Sequence, residues 1–504
     1  MGRKIGSFLS FIAIIVEIIS ALILTPTLIR SFGQAEYGVY SLTISITGYL
    51  VLLDFGVGNS VIRYMSKFRV NNDIPKQRNF LGIITIFYSI IAVIVVAVGI
   101  IIIMIFPKAF AKGLSIEEIN LAQQLLRLTI INMAVTLGTA GFYYTIISFE
   151  NFIVSKGIPI FLGIVKVFLS LIALHLGFRS LTIVFINLTC TIVTRLMMVV
   201  YLFAKMKLLP ILKGLDFSQL KEIITYSSII MIQMIATQVN NLTDHILLGA
   251  LVADSATILA VYGVGSQIVT YFRSIGSSVN SVIMPGVVGV VEKDNSPEKI
   301  QNEIIRIGRL NLIFLGIIWC TFLIYGKRFI ILWSGTENFF AYYVAVMIML
   351  PEVFLLTQTV GNQFLWALNK HKAQSIIKLL IVMLNIVFTI FLIKWRPLLG
   401  ATIGTMISLI VGDIFLMQFV FKKNLGVKLC QYYKGLIKGI APSLIIATIL
   451  GWVTSFIAMP GWVGFIVGCF VMFMGYLMCL LLFGFSNYER FLIKNIAKKL
   501  LKRT

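Results

Sequence analysis

The fold this sequence predicts is an all-α polytopic membrane protein of about fourteen transmembrane helices, with two parallel six-helix lobes around a central cavity and two extra C-terminal helices. Three observations carry that prediction. Hydrophobic residues fill 59% of the 504 positions and charged residues only 12%, too few polar side chains to clothe a soluble core. The apolar residues fall into stretches of roughly 20 or more, the helix length that crosses a hydrocarbon core of about 30 Å. Most of the 42 Lys and Arg gather between alternate stretches and at the chain ends, which by the positive-inside rule puts both termini in the cytoplasm.

In chain order the expected spans are 7–30, 37–62, 80–105, 121–147, 154–176, 181–204, 222–250, 256–285, 306–332, 339–368, 374–393, 398–421, 437–457 and 462–484. The first has the charged start and apolar run of a signal peptide. Glu17 interrupts that run and no convincing small-residue cleavage site follows, so it reads as a span. Span two opens on Tyr37-Gly38-Val39-Tyr40-Ser41, and the corresponding part of span eight holds Tyr262-Gly263-Val264-Gly265-Ser266. With an even number of spans between the copies, this faint repeat makes the two halves parallel. It divides the chain into an N-lobe over 1–209, a C-lobe over 210–429, and two further helices with a basic tail over 430–504. The tail from Tyr488 to Thr504 mixes apolar residues with Lys494, Lys498, Lys499 and Lys502, and reads as an amphipathic helix on the inner leaflet.

The formal charge of +23 is spread over short inner loops, at Arg63, Lys67, Arg69, Lys76 and Arg78 among others. Topology accounts for it, and nucleic acid is not an expected partner. No G-x-x-x-x-G-K-[ST] loop occurs, and the five cysteines lack metal-ligand spacing, so no cofactor or metal is expected. The loops are too short to hold a catalytic domain. A transporter is expected, not an enzyme.

Polar groups recurring every three or four residues mark helix faces that line water instead of lipid. Span seven carries Gln233, Thr237, Asn240, Asn241 and Asp244, and span eight carries Gln267, Thr270, Arg273, Ser274, Ser277, Ser278, Asn280 and Ser281. Spans one and two add Ser10, Glu17, Ser20, Thr25, Tyr40, Thr43, Thr47 and Asp54. In span ten, Pro351 beside Glu352 predicts a mid-membrane bend.

An ionisable group at a span centre costs about 2.5–3.5 kcal/mol on insertion scales, so it needs water, a partner or cargo. Arg273 has two readings: a forked contact to an anionic cargo, or a salt bridge to Asp244 or Glu352. Lys166 either meets a phosphate or sugar acid, or pairs with Glu17 or Asp54. Asp244, His245 and Glu352 are candidates to hold a proton or sodium ion. Asp54, in Leu53-Asp54-Phe55-Gly56-Val57-Gly58-Asn59, serves either a close helix contact or gating. Arg127 and Arg195 are read as snorkelling to headgroups, and Asp413 as structural. The substrate-binding candidates are therefore Arg273, Lys166, Asn240, Gln267, Ser277 and Asn280, with Glu17, Asp54, Asp244 and Glu352 as cavity or coupling acids.

The N-terminal block Leu24-Thr25-Pro26-Thr27-Leu28-Ile29-Arg30, Gly33-Gln34-Ala35-Glu36-Tyr37-Gly38-Val39-Tyr40, then Leu53 to Asn59 and Arg63-Tyr64, resembles bacterial polysaccharide flippases. These Wzx-type O-antigen and capsule transporters belong to the multidrug/oligosaccharidyl-lipid/polysaccharide (MOP) exporter superfamily, beside lipid II flippases and MATE drug exporters. The resemblance implies translocation of an undecaprenyl-diphosphate-linked oligosaccharide from the inner to the outer leaflet of the cytoplasmic membrane by alternating access. It implies membrane lipids and a polysaccharide polymerase or biosynthesis complex as partners, and makes Arg273 the leading diphosphate contact. Acids mixed with cations in the interior keep a MATE-like ion-coupled multidrug exporter open, alongside a lipid II-type flippase.

Overall fold

The computed structural model describes residues 2–212, 214, 220–293, 296–368, 370, 372–456, 461–491 and 494. Its helices run, in order, α1 (Gly2–Phe32), α2 (Gln34–Gly48), α3 (Val57–Val70), α4 (Ile74–Phe110), α5 (Ile116–Gly138), α6 (Ala140–Ser148), α7 (Ile158–His175), α8 (Ser180–Val200), α9 (Leu220–Leu251) and α10 (Ser255–Lys293). They continue as α11 (Pro297–Ser334), α12 (Ala341–Thr357), α13 (Thr359–Ala367), α14 (Lys372–Ile393), α15 (Pro397–Leu409), α16 (Met417–Leu425), α17 (Leu429–Ile437), α18 (Ile440–Ser455) and α19 (Gly461–Cys479). Among the described residues, 9 helices are long and apolar enough to cross a membrane, and 13 spans result if each bent pair counts as one. With α9 added, every expected span coincides with a helix or a broken helix. The basic tail, expected as an amphipathic helix, lies outside the described residues beyond Lys494.

The bends follow from local chemistry. A 41° bend separates α3 from the segment before it, where Phe55 (φ 52) and Gly56 (φ 73) are both left-handed and the helix ladder cannot continue. A 42° bend separates α12 from α13 at Gln358, and this corrects the expectation that Pro351 sets it. Pro351 sits inside α12. At the break, side chains take over the carbonyls that helix N–H groups release: Asn311 Nδ2 donates to Leu356 O at 3.0 Å, Thr359 Oγ1 to Leu356 O at 3.0 Å and Thr357 Oγ1 to Phe354 O at 2.6 Å. Side chains cap the starts of α4 and α5. Asp73 accepts from the Lys76 backbone ahead of α4, and Ser115 forms a capping box with Glu118 ahead of α5.

Two compact units emerge, one of residues 1–264 with 378–405 and one of 265–377 with 406–504. The first has an aromatic-rich core of Val61, Tyr64, Met65, Phe68, Phe80, Leu81, Ile84 and Tyr88 packed on Ile146 and Leu202. Its outward side chains, such as Phe161, Phe168, Phe185 and Leu196, are large and apolar, as a lipid-facing surface requires. Within this unit the glycines of the two matching motifs mark a close crossing of α2 and α10. A Cβ on Gly38 would lie 1.8 Å from Ala256 O, and one on Gly263 would lie 2.6 Å from Ser41 Oγ. Gly38→Ala is therefore expected to cost about 1–3 kcal/mol by forcing backbone apart. A lowered thermal midpoint in detergent, against an unchanged one for Gly157→Ala where nothing lies within 4 Å, is the measurement that checks it.

Candidate functional site

In the first unit Asp244, in the C-terminal third of α9, is 1% exposed. Its carboxylate accepts from three hydroxyls: Tyr262 Oη at 2.5 Å, Thr389 Oγ1 at 3.2 Å, and Thr405 Oγ1. Asn385 Nδ2 donates to the Thr405 hydroxyl at 2.8 Å. Four helices thus converge on one carboxylate, and among the described residues no Lys, Arg or His nitrogen lies within 4 Å of it. The adjacent His245 is buried edge-on to Tyr262, with ring centroids 4.9 Å apart, and its Nδ1 has no hydrogen-bond partner. A desolvated carboxylate ringed by hydroxyl oxygens is suited to a proton or a small cation.

Lys166 of α7 lines a second feature of this unit, a cavity of about 340 Å³ shared with Tyr143, Asn187, Thr191, Thr194 and Arg195. It pairs with neither Glu17 nor Asp54: Lys166 donates to Asn187 Oδ1 at 3.4 Å, while Asp54 accepts from Tyr88 Oη at 2.7 Å. Arg195 corrects the snorkelling expectation, because its guanidinium lies over the Tyr143 ring at 5.2 Å and faces the same cavity. Asp54 lies at the break before α3, where the Gly56 and Gly58 backbone amides also reach it. Glu17 is exposed on α1, and Asn240 has a buried Oδ1 without a hydrogen-bond partner.

In the second unit Arg273 of α10 grips Glu352 of α12. Nη2 and Nε lie 2.6 and 2.7 Å from Oε1, with the arginine side chain 25% exposed and the glutamate 3%. Of the two candidate carboxylates for Arg273, Glu352 is the one it binds. Gln267 donates to Tyr271 Oη at 2.6 Å, and Ser277 is exposed and bonds its own helix at Ser274 O. The side chain of Asn280 lies outside the described residues.

Sequence reasoning misses Tyr262, Asn385, Thr389 and Thr405 around Asp244, and Arg195 beside Lys166. A signal exists: Asn385 and Thr389 are four apart in the otherwise apolar stretch from Leu379 to Ile393, and Asn187, Thr191 and Thr194 share one face of α8.

Comparison with solved structures defines the class. With a TM-score of 0.72 and 15% identity, the chain is similar to the lipid II flippase MurJ in an inward closed conformation, over 97% of this chain and 100% of that one. With 0.65 and 14%, it is similar to an inward-facing MATE family multidrug resistance transporter of the MOP superfamily, over 80% and 96%. A MOP superfamily transporter from Pyrococcus furiosus, described by the reverse polarity of its binding pocket, matches at 0.56 and 15%, over 84% and 95%. The fold is that of the MOP exporters, and the chain is a multi-pass membrane protein. It belongs to the polysaccharide biosynthesis protein family, whose profile matches residues 27–330, in agreement with the resemblance carried by the N-terminal motifs. No curated protein matches it in sequence.

Proposed function

We propose that this protein flips an undecaprenyl-diphosphate-linked oligosaccharide across the bacterial cytoplasmic membrane for cell-surface polysaccharide synthesis, with both termini in the cytoplasm. The observation that carries this reading is membership of the polysaccharide biosynthesis family on a MOP exporter fold. The distribution of charge supports it. A cationic drug needs a carboxylate presented to it, whereas Glu352 is held by Arg273, Asp54 by Tyr88 and Asp244 by three hydroxyls, and of the four expected cavity acids Glu17 alone is exposed. The cations at Lys166 and Arg195 have no such counterpart, which suits an anionic cargo. Two lobes alternate between inward-open and outward-open states, and a proton or sodium ion at Asp244 drives the cycle. Deleting the gene is expected to strand lipid-linked oligosaccharide on the inner leaflet; unchanged export in the deletion strain would defeat the reading.

Arg273 enters the same reading as a diphosphate contact that exchanges Glu352 for phosphate. Arg273→Ala alone would orphan a buried carboxylate, so its effect on export mixes folding with function. The informative comparison is Glu352→Gln against Glu352→Gln with Arg273→Gln. The second, arginine-free variant is expected to export about ten-fold less than the first, as loss of a charged hydrogen bond to cargo requires. Equal export, at equal membrane abundance, would reduce Arg273 to a fastener.

A further inference from the structure

The cavity at Lys166 and Arg195 holds two cations and no acid. Its walls come from α5, α6, α7 and α8, and its charged lining residues are these two alone. Lys166 has one hydrogen bond, a long 3.4 Å contact to Asn187 Oδ1. Arg195, with five N–H donors to place, has the Tyr143 ring at 5.2 Å. Among the described residues no carboxylate lies within 4 Å of either cation. The acid that acts on Lys166 is Glu17, at longer range and itself exposed on α1.

Cations within a membrane-spanning bundle are tolerated when an anion neutralises them or water reaches them. A fastening role fits poorly, since a fastening arginine is met by a carboxylate, as Arg309 is by Glu489 at 2.8 Å. Snorkelling fits poorly as well, because the guanidinium is laid over an aromatic face inside the cavity. The room is there: a Cβ built on Gly163, one helical turn before Lys166, meets nothing within 4 Å. Asn187 accepts from Lys166 through Oδ1, which leaves its amide N–H groups as further donors. The hydroxyls of Thr191 and Thr194 are turned back to their own helix, donating to Asn187 O at 2.9 Å and Cys190 O at 2.7 Å, so the anion's donors are Lys166, Arg195 and Asn187.

We infer that this cavity is an anion site for a phosphate or diphosphate group, with Lys166 as a point charge, Arg195 as a planar fork and Asn187 as a neutral donor. Arg273 and Glu352 are not among the residues that line it. The choice of a lipid-borne diphosphate rests on the flippase reading above; the anion selectivity of the cavity does not. Gly163 gives a way to close the cavity while leaving both cations in place.

The experiment measures binding of two probes, farnesyl diphosphate and inorganic diphosphate, to the full chain in lipid nanodiscs. The variants are Lys166→Gln with Arg195→Gln, the conservative pair Lys166→Arg with Arg195→Lys, and Gly163→Phe. The Gln pair is expected to lose about 100-fold in affinity, and the conservative pair to keep most of it, given two charged hydrogen-bond donors removed. Gly163→Phe is expected to lose binding by exclusion with both charges intact. Loss for farnesyl diphosphate alone identifies a lipid headgroup as the ligand. Loss for inorganic diphosphate with no farnesyl diphosphate binding upholds the anion site and counts against the flippase reading. Wild-type affinity for both probes in the folded Gln pair and in Gly163→Phe overturns the site while leaving the flippase reading intact. A wild-type protein that binds neither probe overturns the site as well.

Discussion

Arg309→Leu is expected to cost about 3–5 kcal/mol, enough to keep most of the protein from reaching the membrane in folded form. Arg309 lies 6% exposed on α11 and places five hydrogen bonds. Nε and Nη2 fork onto Glu489 at 2.8 and 3.0 Å, Nη1 reaches Gly435 O at 3.0 Å and Lys438 O at 2.7 Å, and Nη2 reaches Gly484 O at 2.9 Å. One guanidinium thus closes the end of α17, satisfies a carbonyl in the π-helical turn after α19, and anchors the chain beyond it. Gly439 (φ 76) allows that junction, since a Cβ there would lie 2.7 Å from Phe483 O. Removing the arginine leaves a buried carboxylate and three carbonyls without their donor. Arg309→Lys, with three donors and no fork, is expected to recover only part of the loss. Full stability of Arg309→Leu in a detergent unfolding titration would show that the ion pair is dispensable.

The same cluster carries an acid-sensitive contribution. Burial alone would raise the Glu489 carboxyl, but Arg309 and the Ser486 backbone amide, at 2.6 Å, outweigh it and hold the carboxyl below its usual value. A depressed carboxylate pKa stabilises the fold above the unfolded value of about 4.3 and is lost as pH falls through the folded value. Acid therefore weakens the clamp, and the Glu489→Gln protein, already without the charge, should show a smaller further loss over that range.

The fold is legible in the sequence and the site only partly so, for one physical reason. Span length acts locally, and every expected span meets a helix or a broken helix. The pairing of ionisable groups is set by which helices pack together. Arg273 and Glu352 are recognisable as two anomalies in apolar helices, but their contact depends on α10 meeting α12. Lys166 has apolar chain neighbours and no polar stripe, which leaves cargo contact and a carboxylate partner both open; its polar surroundings come from α8, another helix. Threonines 389 and 405 draw no notice because single hydroxyls are common in membrane helices, where they bond their own backbone, as Thr402 does to Leu398 O. Pro351 misleads in the opposite direction: the local rule is sound, yet α12 runs on past it to Thr357, and the bend falls where side chains cap the carbonyls.

Asp244→Asn is expected to lower transport by about 100-fold or more while leaving the protein folded. The replacement is isosteric: with the amide oxygen in the place of Asp244 Oδ2, Tyr262 and Thr405 keep an acceptor and the new amide N–H donates to the Thr389 hydroxyl, and an uncompensated buried charge is removed. Its cost falls on the ion. In the proposed cycle the carboxylate takes a proton or sodium ion in one state and releases it in the other, and an amide can do neither. Binding to one state stabilises it by about 2.7 kcal/mol at 100 times the dissociation constant. The wild-type thermal midpoint should therefore rise with added sodium at fixed pH, or with falling pH at fixed sodium, and the direction that works names the ion. Asp244→Asn should be flat to both. Thr405→Val, which removes one ligand hydroxyl and the partner of Asn385, should weaken the response without abolishing it. Coupling at Asp244 is refuted by near-normal glycan export in the Asn variant, or by an ion response that survives in it.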